Sequence, residues 1–343
     1  MGETTETDGR FDRQVRFAPL GAEGQRRLGE ASVLLVGCGA LGGVLAQSLV
    51  RAGVGRLVLV DRDVVETSNL PRQVLFDERH AREALPKVDA AVESLARIGG
   101  PTRVEPHALH LDAEHLPRLA ADCDLVLDGT DNLDTRYLIN DWCVERERPW
   151  VYAGVVGSGG LVMAVVPGRG PCLRCVFPDP PPPGTLPTCD SAGVILPAVG
   201  AVASLQAGLA LNLLAGRGEP PLGLLQVDAW TGGLARLEVE RDADCPCCGR
   251  REFAWLHAGT PREPVVLCGR NTVQVLGSGR RPDLDAVARG LEGVAGELQR
   301  VGPILRFAVD AFRVTLFGDG RALIEGTEDV DRARALYDRY VGS

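Results

Sequence analysis

Short, uninterrupted apolar runs alternate along the first half of the chain with segments whose apolar residues recur at helical spacing. Val33-Leu34-Leu35-Val36 and Leu57 to Val60 are apolar at every position, the pattern of strands buried on both faces of a parallel sheet. Gly24 to Glu30 reads as a helix, and a second helical pattern fills the interval up to about Ala52. Strand, glycine-rich turn, helix and strand make one right-handed βαβ unit. The rhythm continues with a helix at Lys87 to Ile98, a strand at Arg103 to Pro106 and a helix at Leu116 to Ala121. A strand at Asp124 to Leu127, a helix at Arg136 to Glu147 and a strand at Pro149 to Gly154 complete it. This alternation predicts an α/β fold, a Rossmann-like doubly wound, mostly parallel sheet with helices on both faces.

Beyond Gly157 the glycines multiply, and the run Leu161 to Val166 predicts an antiparallel extension of the sheet. Pro178 to Pro187 is a Pro/Gly-rich loop, expected to be exposed and mobile. Ser191 to Gly216 carries no charge and is long enough to span a bilayer. Pro197, Ser204, Gln206 and Asn212, many small residues and the lack of aromatic and basic flanks make it instead a buried core helix. Strands follow at Leu224 to Asp228 and Ala235 to Glu240, then a cysteine cluster from Cys245 and a linker at His257 to Pro264. The remainder reads β-β-α-β-β-β-α, with helices at Pro282 to Leu298 and Val330 to Tyr340. Two domains are expected, 1–256 and a small C-terminal α/β domain at 257–343.

Composition narrows the function. With 45% hydrophobic and 24% charged residues the chain reads as a soluble globular protein. A net charge of −9 and no cluster of Lys or Arg exclude nucleic acid and anionic membrane as partners. The start of the chain is polar and acidic, unlike a secretory signal. Ten cysteines in such a chain point to a reducing, cytoplasmic compartment, where clustered cysteines bind metal or do chemistry.

Gly37-x-Gly39-x-x-Gly42 lies between a strand and a helix, where glycines permit a tight turn, close approach to a phosphate and close helix packing. Asp61, ending the second strand, can accept hydrogen bonds from a ribose. These features alone fit NAD as well as any other nucleotide. Asp63, the run Ser68-Asn69-Leu70-Pro71-Arg72-Gln73 and Lys87 shift the balance. Hydride transfer has no use for an Arg and a Lys beyond the ribose, whereas loss of pyrophosphate needs cations there.

Cys172-x-x-Cys175 and Cys245-x-x-Cys248 offer the four thiolates that structural zinc prefers. Their separation exceeds that of a zinc ribbon, and Cys247 competes as a ligand. Cys189 sits near an expected helix N-terminus, a place that lowers a thiol's pKa. Cys38, Cys123, Cys143 and Cys268 read as small buried hydrophobes. His80, His107, His110, His115 and His257 show no metal spacing and read as structural or surface residues.

Phe11-Asp12-Arg13-Gln14, the Gly37 loop, the Ser68 to Gln73 run, Gly129-Thr130-Asp131-Asn132 and the two Cys-x-x-Cys pairs resemble the ThiF/MoeB/HesA adenylyltransferases, bacterial relatives of ubiquitin-activating enzymes. The resemblance covers roughly Phe11 to Gly249. It implies that ATP adenylylates the C-terminal Gly-Gly carboxylate of a ubiquitin-like sulfur carrier. By motif, Asp61 would hold the ribose, Asn69, Arg72, Gln73 and Lys87 the phosphates, and Asp131 the Mg²⁺. Asp128 competes for the metal, and Asp131 could instead cap the following helix. The resemblance also implies Zn²⁺ on the four paired cysteines and a homodimer in which Arg13 enters the other subunit's site. It further implies attack by Cys189 on the adenylate in some relatives, and a cysteine desulfurase or rhodanese as sulfur donor. Cys268-Gly269-Arg270 lacks the surroundings of a rhodanese active site, so no intrinsic sulfur donation is expected. An NAD-dependent oxidoreductase is the enzymatic alternative, and it leaves Arg13, Arg72, Lys87 and the paired cysteines without a role. The non-enzymatic alternative is a scaffold for a ubiquitin-like protein, and a scaffold would have no need to keep those groups.

Overall fold

The apolar run 33–36 forms β1 (Ser32–Val36), an inner strand of an eight-stranded sheet. With it lie β2 (Arg56–Asp61), β3 (Arg103–Ala108), β4 (Leu125–Asp128), β5 (Trp150–Val156), β6 (Gly159–Val165), β7 (Leu224–Asp228) and β8 (Gly233–Leu237), in the order β3-β2-β1-β4-β5-β6-β7-β8. The first five pair in parallel; β6, β7 and β8 extend the sheet antiparallel. The computed structural model describes residues 9–181, 185, 188–216, 222–257, 265–267, 271–277, 281–302 and 304–342.

The chain forms two compact units, Met1–Gly259 and Thr260–Ser343. The helices of the first are α1 (Asp12–Val15), α2 (Gly21–Glu30), α3 (Ala40–Ala52), α4 (Glu78–Glu83), α5 (Lys87–Ala96), α6 (His115–Ala120), α7 (Leu133–Glu145), α8 (Leu173–Val176), α9 (Cys189–Ala192), α10 (Leu196–Ala215) and α11 (Ala254–His257). Because strand side chains alternate faces, β1 feeds two cores. Val33 and Leu35 pack with α3, α5 and α10, while Leu34 and Val36 pack with α6, α7 and the cysteine cluster. Helix α10 is long and apolar enough to cross a membrane, but half of it is buried inside the unit, against α3, β5 and β6.

The second unit is a six-stranded antiparallel sheet in the order β11-β12-β13-β14-β10-β9. Its elements are β9 (Val265–Leu267), β10 (Thr272–Val275), α12 (Leu284–Leu291), β11 (Gly296–Val301), β12 (Ile304–Val309), β13 (Phe312–Phe317), β14 (Ala322–Glu325) and α13 (Val330–Tyr340). Both helices join one core with Val273, Leu305, Phe307, Val314 and Ile324.

Three expectations change here. The helix expected over Pro282 to Leu298 ends at Leu291, and the chain from Gly296 is a strand. Gly290, Gly293 and Gly296 explain this, since Gly293 adopts φ +77° just past the helix end. The second unit therefore has one strand more than the β-β-α-β-β-β-α reading. The strand expected at Ala235 to Glu240 lies two residues earlier, paired in register with β7 from Gly233. The linker residues 258–264, Cys268 and loop residues 182–184, 186 and 187 lie outside the described residues.

Candidate functional site

Strands β1 and β4 are where the strand order reverses, and both end in glycine turns. Gly37 N–H donates to Val60 O and Gly129 N–H to Val36 O, each at 2.7 Å. Gly37 has φ +88°, and a Cβ there would lie 2.6 Å from Gly129 O and 3.0 Å from Thr130 N. A Cβ on Gly42 would lie 1.9 Å from Gly37 O. The Gly37 loop and the Gly129 turn thus touch backbone to backbone at the crevice where open α/β sheets bind ligands. A Cβ on Gly39 would make ordinary contact with Gln73 Nε2 at 3.7 Å, so Gly39 and Gln73 stand side by side at the start of α3. Gly129 was quoted for the motif but given no role of its own.

Around this loop stand most of the expected nucleotide contacts. Asp61 Oδ2 accepts from Cys38 N–H (2.6 Å) and Oδ1 from Asp63 N–H (2.8 Å). Burial raises its pKa above the usual carboxylate range, and Lys87 pulls it back. Lys87 is only 4% exposed, and its Nζ lies 3.0 Å from Asp63 Oδ2. Asn69 Oδ1 accepts from Glu66 N–H (3.1 Å), so this buried side chain orders its own turn. Arg72 Nη1 donates to Ser68 O (2.6 Å). Gln73 is 5% exposed and its Oε1 is a buried acceptor with no hydrogen-bond partner, close to the glycine loop.

Asp128 and Asp131 separate cleanly. Asp128 has no accessible surface; Oδ1 accepts from Thr130 N–H (2.8 Å) and Thr130 Oγ1 (2.7 Å), and Oδ2 from Arg136 Nε (3.0 Å). It is committed to holding the turn. Asp131 is exposed on that turn, and the cap of α7 is Asn132, whose Oδ1 accepts from Thr135 N–H (3.0 Å). Asp131 is therefore not the helix cap and is available for a cation. Gln206 of α10 braces the same place, donating to Asp128 O (2.8 Å) and Val151 O (2.9 Å). Neither Arg136 nor Gln206 was foreseen as important. For Gln206 the signal is a polar residue within an apolar helical run; Arg136 follows Asp134 and Thr135 and carries no such signal.

Arg13 is exposed on α1, a segment pinned elsewhere. Gln14 Nε2 donates to Gln25 Oε1 (2.8 Å) and Ala52 O (3.1 Å), and the Phe11 ring covers Gly53. This anchor is the C-terminal end of α3, whose other end is the glycine loop. A helix of 13 residues is about 20 Å long, beyond the reach of an arginine side chain. Arg13 cannot serve its own chain's loop. Cys189 begins α9, with Sγ 3.4 Å from Val155 O at the C-terminal end of β5, the edge that also carries Asp61 and Asp128.

Cys172, Cys175, Cys245 and Cys248 place their four sulfurs within 4.8 Å of one another. The pairs 172–245, 172–175 and 175–248 are 3.6, 4.0 and 3.4 Å apart. A tetrahedral Zn–S₄ centre with bonds of about 2.3 Å has sulfurs about 3.8 Å apart, so the donor set fits zinc. Cys247 is outside this group, its sulfur accepting from Asn140 Nδ2 at 3.2 Å. Cys38, Cys123 and Cys143 are buried, as is His80.

A family model described as the ThiF family matches residues 11–247. The sulfur carrier protein ThiS adenylyltransferase of Bacillus subtilis is 40% identical over 338 residues, 97% of this chain and 99% of that one. A sulfur carrier protein adenylyltransferase of Thermus thermophilus is 43% identical over 257 residues, 73% of this chain and 93% of that one. The adenylyltransferase and sulfurtransferase MOCS3 of Sus scrofa is 46% identical over 244 residues, 71% of this chain and 53% of that one. Among solved structures, E. coli MccB aligns with a TM-score of 0.63 at 23% identity, over 72% of this chain and 74% of that one, a likeness of fold alone.

Proposed function

Because the chain belongs to the ThiF family, we propose that it adenylylates the C-terminal carboxylate of a small ubiquitin-like sulfur carrier, using ATP and releasing pyrophosphate. The observation that carries this reading is the alignment with the Bacillus subtilis ThiS adenylyltransferase, which runs nearly end to end. At 338 residues it exceeds the length of the first unit and takes in the second. That favours a carrier of the ThiS kind, ending in Gly-Gly.

The roles follow from the crevice. The glycine loop and the N-terminus of α3 bring backbone N–H groups and a partial positive charge to the phosphates. Asp61 holds the ribose, and Asp63 pairs with Lys87 beside it. Gln73 and Asn69 orient the phosphate chain, and Arg72 and Lys87 neutralise charge as pyrophosphate leaves. The carrier's carboxylate attacks the α-phosphorus, and the bond to pyrophosphate breaks. Asp131 would hold Mg²⁺, which would draw charge from the phosphate oxygens; one or two protein carboxylates suffice for such an ion. Arg13, too far from its own loop, acts in the site of a second copy, so the enzyme is a homodimer in the cytoplasm. Zn²⁺ on Cys172, Cys175, Cys245 and Cys248 is structural, since four thiolates leave no open position. Cys189 takes no part in forming the adenylate, and sulfur comes from a separate donor, a cysteine desulfurase or rhodanese.

ATP–pyrophosphate exchange with purified carriers ending in Gly-Gly tests the reading, with the protein and its Asp131→Ala variant side by side. Exchange that depends on the carrier and disappears in the variant is expected. No exchange with any carrier, alongside tight NAD binding, would overturn it in favour of an oxidoreductase.

A further inference from the structure

Two cysteine pairs stand 73 residues apart in the chain, yet their sulfurs lie at tetrahedral spacing, and a fifth cysteine buried among them stays out of the set. We infer that Asn140 is the positioning residue responsible for both, bridging the two pairs through one buried carboxamide; the inference rests on the zinc reading above.

Asn140 lies on α7 with no accessible surface. Its Oδ1 accepts from the backbone N–H of Leu173, the residue after Cys172, at 2.9 Å. An N–H can only donate, so this contact fixes which end of the amide is oxygen. The nitrogen is thereby turned to the second pair, where Nδ2 donates to Cys247 Sγ at 3.2 Å. One side chain thus ties the backbone of the first knuckle to a sulfur in the second. This sulfur also contacts Cys172 and Asp141, and the amide engages it as an acceptor while it stays outside the four-sulfur group.

The next residue repeats the pattern. Asp141, also without accessible surface, accepts from Trp255 N–H through Oδ2 (3.0 Å), beyond the second pair. Its Oδ1 lies 3.9 Å from Nη1 of Arg174, a buried residue inside the first Cys-x-x-Cys. Arg174 in turn donates to Pro178 O (3.0 Å) and Glu252 O (3.4 Å). Two consecutive residues of one helix therefore reach both knuckles. That helix starts at the turn carrying Asp131, so the cysteine cluster is referenced to the nucleotide crevice.

The test measures zinc release to a chromophoric chelator from the full chain, wild type beside Asn140→Ala, Asn140→Asp and Cys247→Ala. Loss of an outer-shell partner typically weakens metal binding about 10- to 100-fold. Release about that much faster is expected from both Asn140 variants, Asn140→Asp retaining the acceptor for Leu173 and so the fold. Cys247→Ala should keep one metal per chain and, loaded with cobalt(II), the spectrum of four thiolates. Melting separates positioning from packing: a positioning role lowers the melting temperature of the zinc-loaded protein more than that of the metal-free protein. Release at the wild-type rate in both Asn140 variants would overturn the inference, as would loss of a thiolate from the cobalt spectrum in Cys247→Ala. A wild-type chain that holds no zinc would overturn the zinc reading itself, a distinct result.

Discussion

Arg136→Met isolates the electrostatics of the turn that carries Asp131. Arg136 Nε faces the fully buried Asp128, and Nη2 donates to Thr130 O (2.5 Å) and Ala153 O (3.1 Å). Methionine keeps most of the apolar stem and removes the charge and the donors. Deleting one partner of a buried ion pair costs about 3–5 kcal/mol, because the other charge is left uncompensated. That is a large share of a typical stability of about 5–15 kcal/mol. The cost should also depend on pH. Burial already raises the Asp128 pKa, against the pull of Arg136 and Thr130, and without Arg136 it rises further. A carboxyl whose folded pKa exceeds its unfolded value binds its proton more tightly when folded. Its contribution is full below the unfolded value and is lost as pH rises through the folded one. The Arg136→Met deficit is therefore expected to be smaller near pH 5 than near pH 8. Adding Asp128→Asn to Arg136→Met removes the stranded charge and should recover part of the loss. Urea unfolding of the single and double variants at both pH values closes the cycle. A deficit independent of pH, or a double variant no more stable than Arg136→Met, would refute the reasoning.

Two neighbouring glycines should behave oppositely. Gly42→Ala puts a Cβ 1.9 Å from Gly37 O and is expected to open the loop, costing about 1–3 kcal/mol and most of the ATP affinity. Gly43→Ala meets Leu75 at an ordinary 3.5 Å and should gain up to about 1 kcal/mol of helix propensity; calorimetric titration with ATP and thermal melting check both. Arg13→Ala should abolish carrier-dependent exchange while leaving the melting temperature within about a degree, since an exposed residue contributes little to stability. A normal exchange rate would remove Arg13 from the site.

The inner parallel strands were legible because 33–36 and 57–60 are apolar at every position, which only a doubly covered strand requires, whereas edge strand β3 carries Arg103, Glu105 and His107. The glycine loop was legible for a similar reason: Gly37 and Gly42 each stand where a side chain would strike backbone. What escaped was buried polarity. Asn140 and Asp141 sit between Ile139 and Trp142, where pattern reading sees only a break in a hydrophobic face. Their partners, Leu173, Cys247, Trp255 and Arg174, are 33 to 114 positions away, a distance that no local pattern spans. Arg136 and Gln206 were missed on the same account. In the second unit, α12 was overextended because Ala, Leu and Val between glycines keep a helical period after the backbone has turned away.

The sequence separation of the cysteine pairs also sets an order of events. A ribosome adding about 5–20 residues per second takes about 4–15 s to pass from Cys172 to Cys245, which are 73 residues apart. Six strands, β1 to β6, precede the first pair, and by the time the second pair emerges all eight strands of the sheet have been synthesised, and with them the whole glycine crevice. A metal on the four cysteines would then act as a late clasp over a loop whose closure, by a chain-entropy estimate for a cross-link of this length, is worth about 4 kcal/mol. The nascent nucleotide half must keep its unfinished sheet edge from aggregating through those seconds.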